Sequence, residues 1–172
     1  VLTLLLGGAR SGKSALAARL AGEQADPVTV IVTAEARDDE MADRIARHRA
    51  ERPAAWTTLE APLDLADAVV ALDPTAFAIV DCLTVWASNA LEAGREDDAI
   101  VDAASAVASS LARRSASSVV VSNEVGLGVV PTNALARRYR DVLGRVNAVV
   151  AERADRSYLL VAGRAIHLEA LP

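Results

Sequence analysis

Four stretches of the chain are continuously apolar or β-branched: VLTLLL (1–6), VTVIVTA (28–34), FAIVDCL (77–83) and SVVVSN (118–123). None shows the polar alternation of a half-exposed strand, so they suit a sheet covered on both faces. SYLLVAG (157–163) reads as a fifth strand and AIHLEAL (165–171) as a short edge strand. Gly163-Arg164 is placed to turn a hairpin between these two, which would run the last strand antiparallel.

Between the strands the apolar period lengthens to that of a helix. Helices are expected over 13–24, 38–51, 63–72, 97–114 and 132–154. The last sets Leu135, Tyr139, Val142, Val146, Val149 and Arg153 near one stripe, with Pro131 where a first-turn proline is tolerated. Alternating strands and helices predict an α/β fold, a mostly parallel sheet flanked by helices with a short antiparallel edge strand at the C-terminus. No repeat or linker divides the chain, and residues 1–172 read as one domain.

Composition narrows the possibilities. Apolar residues make up 52% of the chain and aromatic ones 3%, so Val, Leu, Ile and Ala must build the core. The net charge of -5 argues against nucleic acid as a partner, which calls for a basic face. A single cysteine, Cys82, excludes an intrachain disulfide and suits a reducing cytoplasm. The apolar run at 1–6 is too short to span a membrane and lacks a basic start, so a cytoplasmic protein is expected. Two histidines and one cysteine leave no zinc-ligand spacing.

GGARSGKS (7–14) matches Gly-x-x-x-x-Gly-Lys-Ser, after a predicted strand and at the head of a predicted helix. In such a loop, backbone N–H groups curl round a phosphate at the positive end of the helix. Lys13 is the only lysine in the chain. Its compact ammonium suits a cramped phosphate pocket better than a planar guanidinium would. Lys13 can reach β- and γ-phosphate oxygens, and the Ser14 hydroxyl can ligate Mg²⁺. Asp81, near the end of an apolar strand, can support the same ion or accept a proton; an ordinary strand-end aspartate would look the same. The loop predicts a bound nucleoside triphosphate without naming the acceptor. With its one lysine in the loop, the chain has no Asn-Lys-x-Asp base-reading motif.

In DDEMADRIARHRAERPAAW (38–56), acidic residues open the predicted helix and Arg47, Arg49 and Arg52 gather at its end. Both biases complement the helix dipole. Met41, Ile45 and His48 fall on one face. A neutral imidazole there is a nucleophile, and the arginines around it could hold a triphosphate for attack. A half-buried histidine that merely finishes a helix is the commoner meaning of such a spacing, and the residues alone favour it. His167 reads as structural. In SNEVGLGVVP (122–131), Ser122, Asn123 and Glu124 would emerge at the carboxyl end of a central strand, either as ligand contacts or as a capping turn.

Taken together and in order, GGARSGKS, DDEMADRIARHRAERPAAWTTLEAP and SNEVGLGVVPTNALARRYRDVLGRVN resemble one family. It is the bifunctional adenosylcobinamide kinase/adenosylcobinamide-phosphate guanylyltransferase family of cobalamin biosynthesis. The resemblance implies a RecA-like P-loop fold, a homotrimer, and ATP, GTP and Mg²⁺ as cofactors. It implies two reactions: phosphorylation of adenosylcobinamide by ATP or GTP, then transfer of GMP from GTP onto adenosylcobinamide-phosphate through a guanylylated histidine, giving adenosylcobinamide-GDP. The nucleophile falls on His48, with Lys13 and Asp81 as the other catalytic positions and Ser14 and Asp81 at the metal. Nucleotide contacts fall on Gly7, Gly8, Ala9, Arg10, Ser11, Gly12, Lys13, Ser14, Thr33, Ala34, Glu35, Arg49, Ala50, Glu51, Arg52, Glu60 and Asp81. Family members often carry adjacent histidines where this chain has Arg47-His48, and a glutamate where it has Asp81. Two narrower readings stay open, a guanylyltransferase alone and a P-loop protein or kinase acting on another small metabolite.

Overall fold

A computed structural model describes residues 1–24, 27–36, 38–50 and 52–170. Its strands are β1 (Leu2–Gly7), β2 (Val28–Val32), β3 (Thr57–Glu60), β4 (Phe77–Asp81), β5 (Ser118–Val121), β6 (Arg156–Val161) and β7 (Arg164–Leu168). Its helices are α1 (Lys13–Gly22), α2 (Asp39–Ala50), α3 (Leu65–Val70), α4 (Leu83–Glu92), α5 (Asp97–Ala112) and α6 (Ala134–Ala151). The strands form one sheet in the order β3-β2-β4-β5-β1-β6-β7. Every pairing is parallel except that of β6 with β7.

The continuous apolar runs are explained by two cores. Successive strand side chains point to opposite faces, so a strand covered on both must be apolar throughout. Leu4, Val80 and Val120 pack with Leu65, Trp86, Ile100, Leu111 and Leu143 from α3, α4, α5 and α6. Their neighbours Leu5, Ile79, Val119 and Val121 pack on the other face with Ala17 and Ala21 of α1. Each fully buried aliphatic side chain contributes roughly 1.5–3 kcal/mol.

Several expectations need correction. The run read as a strand over 77–83 ends at Asp81, and Cys82 caps α4, a helix the reading missed. It also missed β3, only four residues long and exposed at both ends. Helix α6 starts at Ala134, capped by the Asn133 side chain accepting from the Ala136 N–H, so Pro131 lies ahead of its first turn. Its buried face is Val142, Leu143, Val146, Asn147 and Val150. Leu135, placed on the stripe, is 58% exposed, and the buried face of α6 begins only at Val142. The final hairpin turns at Ala162-Gly163, one residue earlier than expected.

The parallel order has one consequence for function. The carboxyl ends of β1, β2, β3, β4 and β5 share one edge of the sheet, where open α/β sheets hold their ligands.

Candidate active site

The loop after β1 takes backbone conformations that its glycines permit. Gly7 has φ 150° and Gly12 φ 101°, both in the region that disfavours a side chain. A Cβ on Gly7 would run into the Leu160 carbonyl and stand 2.8 Å from Ser11 Oγ. Gly12 is the N-cap of α1. Arg10, exposed at the loop's crest, also has positive φ, 57°.

Lys13 folds back across this loop. Its Nζ donates to the carbonyls of Gly7 at 2.9 Å and Gly8 at 2.7 Å, with Ser11 Oγ at 3.3 Å. Burial lowers its pKa from the ordinary lysine value, against the opposing pull of Cys82 and Asp81. Burial, followed by the charge of Asp81, pushes the Cys82 thiol up.

Helix α2 is capped where the acidic start predicted it: Asp38 Oδ1 accepts the Met41 N–H at 2.7 Å. Met41, Ile45 and His48 do share a face, and that face lines a cavity with Val32, Ala34, Arg49, Thr58, Glu60, Cys82 and Val85. A second cavity runs along α1 past Ser14, Ala17 and Trp56. His48, Arg52 and Asp81 line both. The imidazole on α2 and the P-loop serine on α1 therefore border one depression within a single chain.

Asp81 does not stand alone at the end of β4. Its Oδ2 accepts from Arg52 Nη2 at 3.4 Å, and the two side chains are only 16% and 15% exposed. Thr33 is fully buried, and its hydroxyl donates to the Cys82 carbonyl at 2.7 Å while accepting the Cys82 N–H at 3.0 Å. The threonine side chain is thus committed to the turn that carries Asp81. Asn89 Nδ2 donates to the carbonyls of Thr33 and Pro62, tying the loops after β2 and β3 together.

Of the other sequence-predicted positions, Gly8 and Ala9 lie exposed on the loop, and Ser11 is buried. Glu35 lines a neighbouring hollow with Asp38, Met41 and Tyr139. Ala50 is exposed at the last residue of α2, and Glu60 is exposed at the end of β3. Glu51 lies outside the described residues. Sequence reasoning missed Thr58 and Val85, which came with the unforeseen β3 and α4. For α4 a signal existed, since Leu83, Trp86, Ala87, Ala90 and Leu91 have helical spacing and all are buried.

The second glycine loop supports the first. Ser122 Oγ donates to Asn147 Oδ1 at 2.6 Å, and Asn147 Nδ2 donates to the Asn123 carbonyl at 3.0 Å. The Asn123 N–H donates to Thr84 Oγ1, and the Glu124 N–H to the Gly7 carbonyl at 3.2 Å. His167 packs its ring against Tyr158, with centroids 5.2 Å apart.

Comparison with known proteins identifies the family. Residues 3–168 match the model of the family described as cobinamide kinase / cobinamide phosphate guanyltransferase. The chain belongs to that family. It is 46% identical over 171 residues to the bifunctional adenosylcobalamin biosynthesis protein CobP of Pseudomonas aeruginosa, covering 98% of each chain. It is 40% identical over 182 residues to the protein CobU of Salmonella typhimurium, covering 98% of this chain and all of that one. Family membership makes it an enzyme of the kinase and nucleotidyltransferase kind. Among solved structures, the type III secretion ATPase EscN of enteropathogenic E. coli superposes with TM-score 0.63 at 13% identity, over 94% of this chain and 43% of that one. A Pyrococcus horikoshii protein, PH0250, superposes with TM-score 0.55 at 11% identity, over 96% of this chain and 84% of that one. At such identities the likeness is one of fold alone. This chain spans about half the length or less of the type III secretion ATPases it matches.

Proposed function

We propose that this chain phosphorylates adenosylcobinamide with ATP or GTP, then transfers GMP from GTP onto the new phosphate through His48. The observation that carries the reading is the depression bordered by both Ser14 and His48. Family membership supplies the acceptor.

In the first reaction the loop N–H groups and Lys13 hold the polyphosphate. The acceptor oxygen bonds to the γ-phosphorus and gives up its proton to water, while the bond from that phosphorus to the bridging oxygen breaks and ADP or GDP leaves with the electron pair. Lys13 exchanges its bonds to Gly7 and Gly8 for phosphate oxygens, so its burial favours an anion as partner. In the second, an imidazole nitrogen of His48 attacks the α-phosphorus of GTP. A P–N bond forms, the bond from the α-phosphorus to the bridging oxygen breaks, and pyrophosphate leaves with that electron pair. Arg49 and Arg52 offset the charge on the departing group. An oxygen of adenosylcobinamide-phosphate then displaces the protonated imidazole, giving adenosylcobinamide-GDP. Glu60, on the His48 cavity, is suited to accept N–H groups from a guanine edge.

Ser14 and Asp81 would hold Mg²⁺. Both offer hard oxygen donors to the same depression, and the described residues contain no group of three or more His, Cys, Asp or Glu side chains fit for a metal ion. That suits an ion kept mostly by phosphate and water. It would neutralise polyphosphate charge.

The homotrimer and the cytoplasmic location carried by the resemblance belong to the same reading. Exposed Leu127 and Val129 give an association surface some support, and light scattering in solution tests it.

Incubation with GTP labelled at the α-phosphate should leave an acid-labile label on His48. His48→Ala should abolish labelling and guanylyl transfer yet retain phosphorylation of adenosylcobinamide, read by product mass. An active enzyme without the adduct removes the covalent step. Loss of both reactions in a folded His48→Ala protein removes the separation of the two chemistries.

A further inference from the structure

All five residues of β7 are exposed, so the strand adds little to either core. The turn leading into it, however, lies against the P-loop. Ala162 and Gly163 have φ 50° and 74°, the left-handed pair of a tight hairpin. Alanine is disfavoured in that region, so something must hold it there. The Gly163 N–H donates to the Ser11 carbonyl at 3.0 Å. A Cβ on Gly12 would lie 3.4 Å from Gly163 Cα. At the other end of the loop, Gly7 pairs with Leu160 of β6 so closely that a Cβ there would meet the Leu160 carbonyl. The hairpin touches the cradle at its entry and at its exit.

A planar trans peptide carries its carbonyl and its N–H in opposite directions. Holding the Ser11 carbonyl toward Gly163 therefore turns the Gly12 N–H away from the hairpin. The Gly7 carbonyl is likewise fixed, by the Lys13 ammonium and the Glu124 N–H, which orients the Gly8 N–H. Loop N–H groups grip an anion well only when they are aligned beforehand.

We propose that the β6–β7 turn is part of the nucleotide site. Gly163 is a positioning residue: through the Ser11 carbonyl it orients the Gly12 N–H and thereby sets the affinity for a nucleoside triphosphate. This rests on the reading of residues 7–14 as a phosphate cradle.

The test uses the full chain labelled with 15N-glycine and titrated with GTP. In the unaltered protein, the Gly12 and Gly163 amide resonances should move together with one dissociation constant. Gly163→Pro removes the donor and, because its ring holds φ at about -65°, the left-handed turn as well. It should raise that constant about five-fold or more, at least the worth of one hydrogen bond. The KM for GTP should rise with it, while the KM for adenosylcobinamide stays put. Gly163→Asn keeps the N–H and tolerates positive φ, so it should bind GTP like the unaltered protein. A turn that serves stability alone would lower the melting temperature of Gly163→Pro without changing GTP affinity, and that result overturns the inference. Should Gly163→Pro fail to fold, a Gly163 resonance that stays still in the unaltered protein at saturating GTP overturns it equally. An unaltered, folded protein that binds no GTP removes the cradle reading and this inference together.

Discussion

The Arg52 guanidinium meets the Asp81 carboxylate at 3.4 Å, where the cavity beside β3 joins the one beside α1. One partner comes from just beyond α2 and the other from the end of β4, so the pair clips the histidine-bearing helix to the sheet. Both charges are largely withdrawn from water. Such a pair is costly to break on one side, because the charge left behind has no partner.

Arg52→Ala should therefore do two kinds of harm. It leaves Asp81 uncompensated, and it puts a bare carboxylate beside the triphosphate. GTP affinity should fall by about ten-fold or more, equivalent to about 1.4 kcal/mol. Adding Asp81→Asn to Arg52→Ala should restore part of the lost stability, although not the catalytic role proposed for Asp81. Urea unfolding of the two single variants and the double one measures the coupling. Strictly additive effects would mean that the pair is an incidental contact.

A second clip lies under the glycine loop after β5. Ser122 is fully buried and Asn147 is 5% exposed, and the asparagine accepts from one residue of the loop while donating to the next. Asn147→Leu keeps the branched shape in a somewhat bulkier side chain but strands the Ser122 hydroxyl and the Asn123 carbonyl. Each orphaned group costs about 1–3 kcal/mol. Chemical denaturation should show a loss in that range or above it, partly recovered by Ser122→Ala in the same chain. Because the Glu124 N–H holds the Gly7 carbonyl, weaker GTP binding should accompany the loss.

Local signals were legible and distant partnerships were not. The P-loop could be read because its glycines, Lys13 and Ser14 act within eight consecutive residues. The face shared by Met41, Ile45 and His48 could be read because helical period is local. Nothing in the spacing says that His48 reaches the depression beside Ser14, since that depends on where α2 lies against the sheet. The end of β4 was overrun because apolar residues flank Asp81 on both sides and hide the boundary with α4. Strand β3 escaped because four half-exposed residues make no apolar run. Ser122 reads as much like a ligand contact as a structural residue, since its partner Asn147 stands on α6, 25 residues further on and beyond the glycine loop itself.

Tyr139 offers a test of burial near the site that does not depend on substrate. Its hydroxyl donates to the Thr84 carbonyl at 3.2 Å, and burial, followed by the nearby Cys82, pushes its pKa from 10.0 up to about 12. In the unfolded chain the phenol loses its proton near its ordinary value, while the folded protein still keeps it. Across the window from 10.0 to about 12 the unfolded state binds fewer protons, so stability falls as pH rises. Below that window the contribution is fully present. Lys13 acts in the opposite sense, because burial lowers its pKa and the unfolded chain then holds the proton longer. Comparison with Tyr139→Phe isolates the phenol from that background. The variant should lose about 1 kcal/mol near neutral pH, for the missing hydrogen bond. Its stability should then decline less steeply than that of the unaltered protein between about pH 10 and about pH 12. Denaturant unfolding at matched alkaline pH values reads both effects, and parallel curves for the two proteins would mean that the phenol titrates as freely in the folded chain as in the unfolded one.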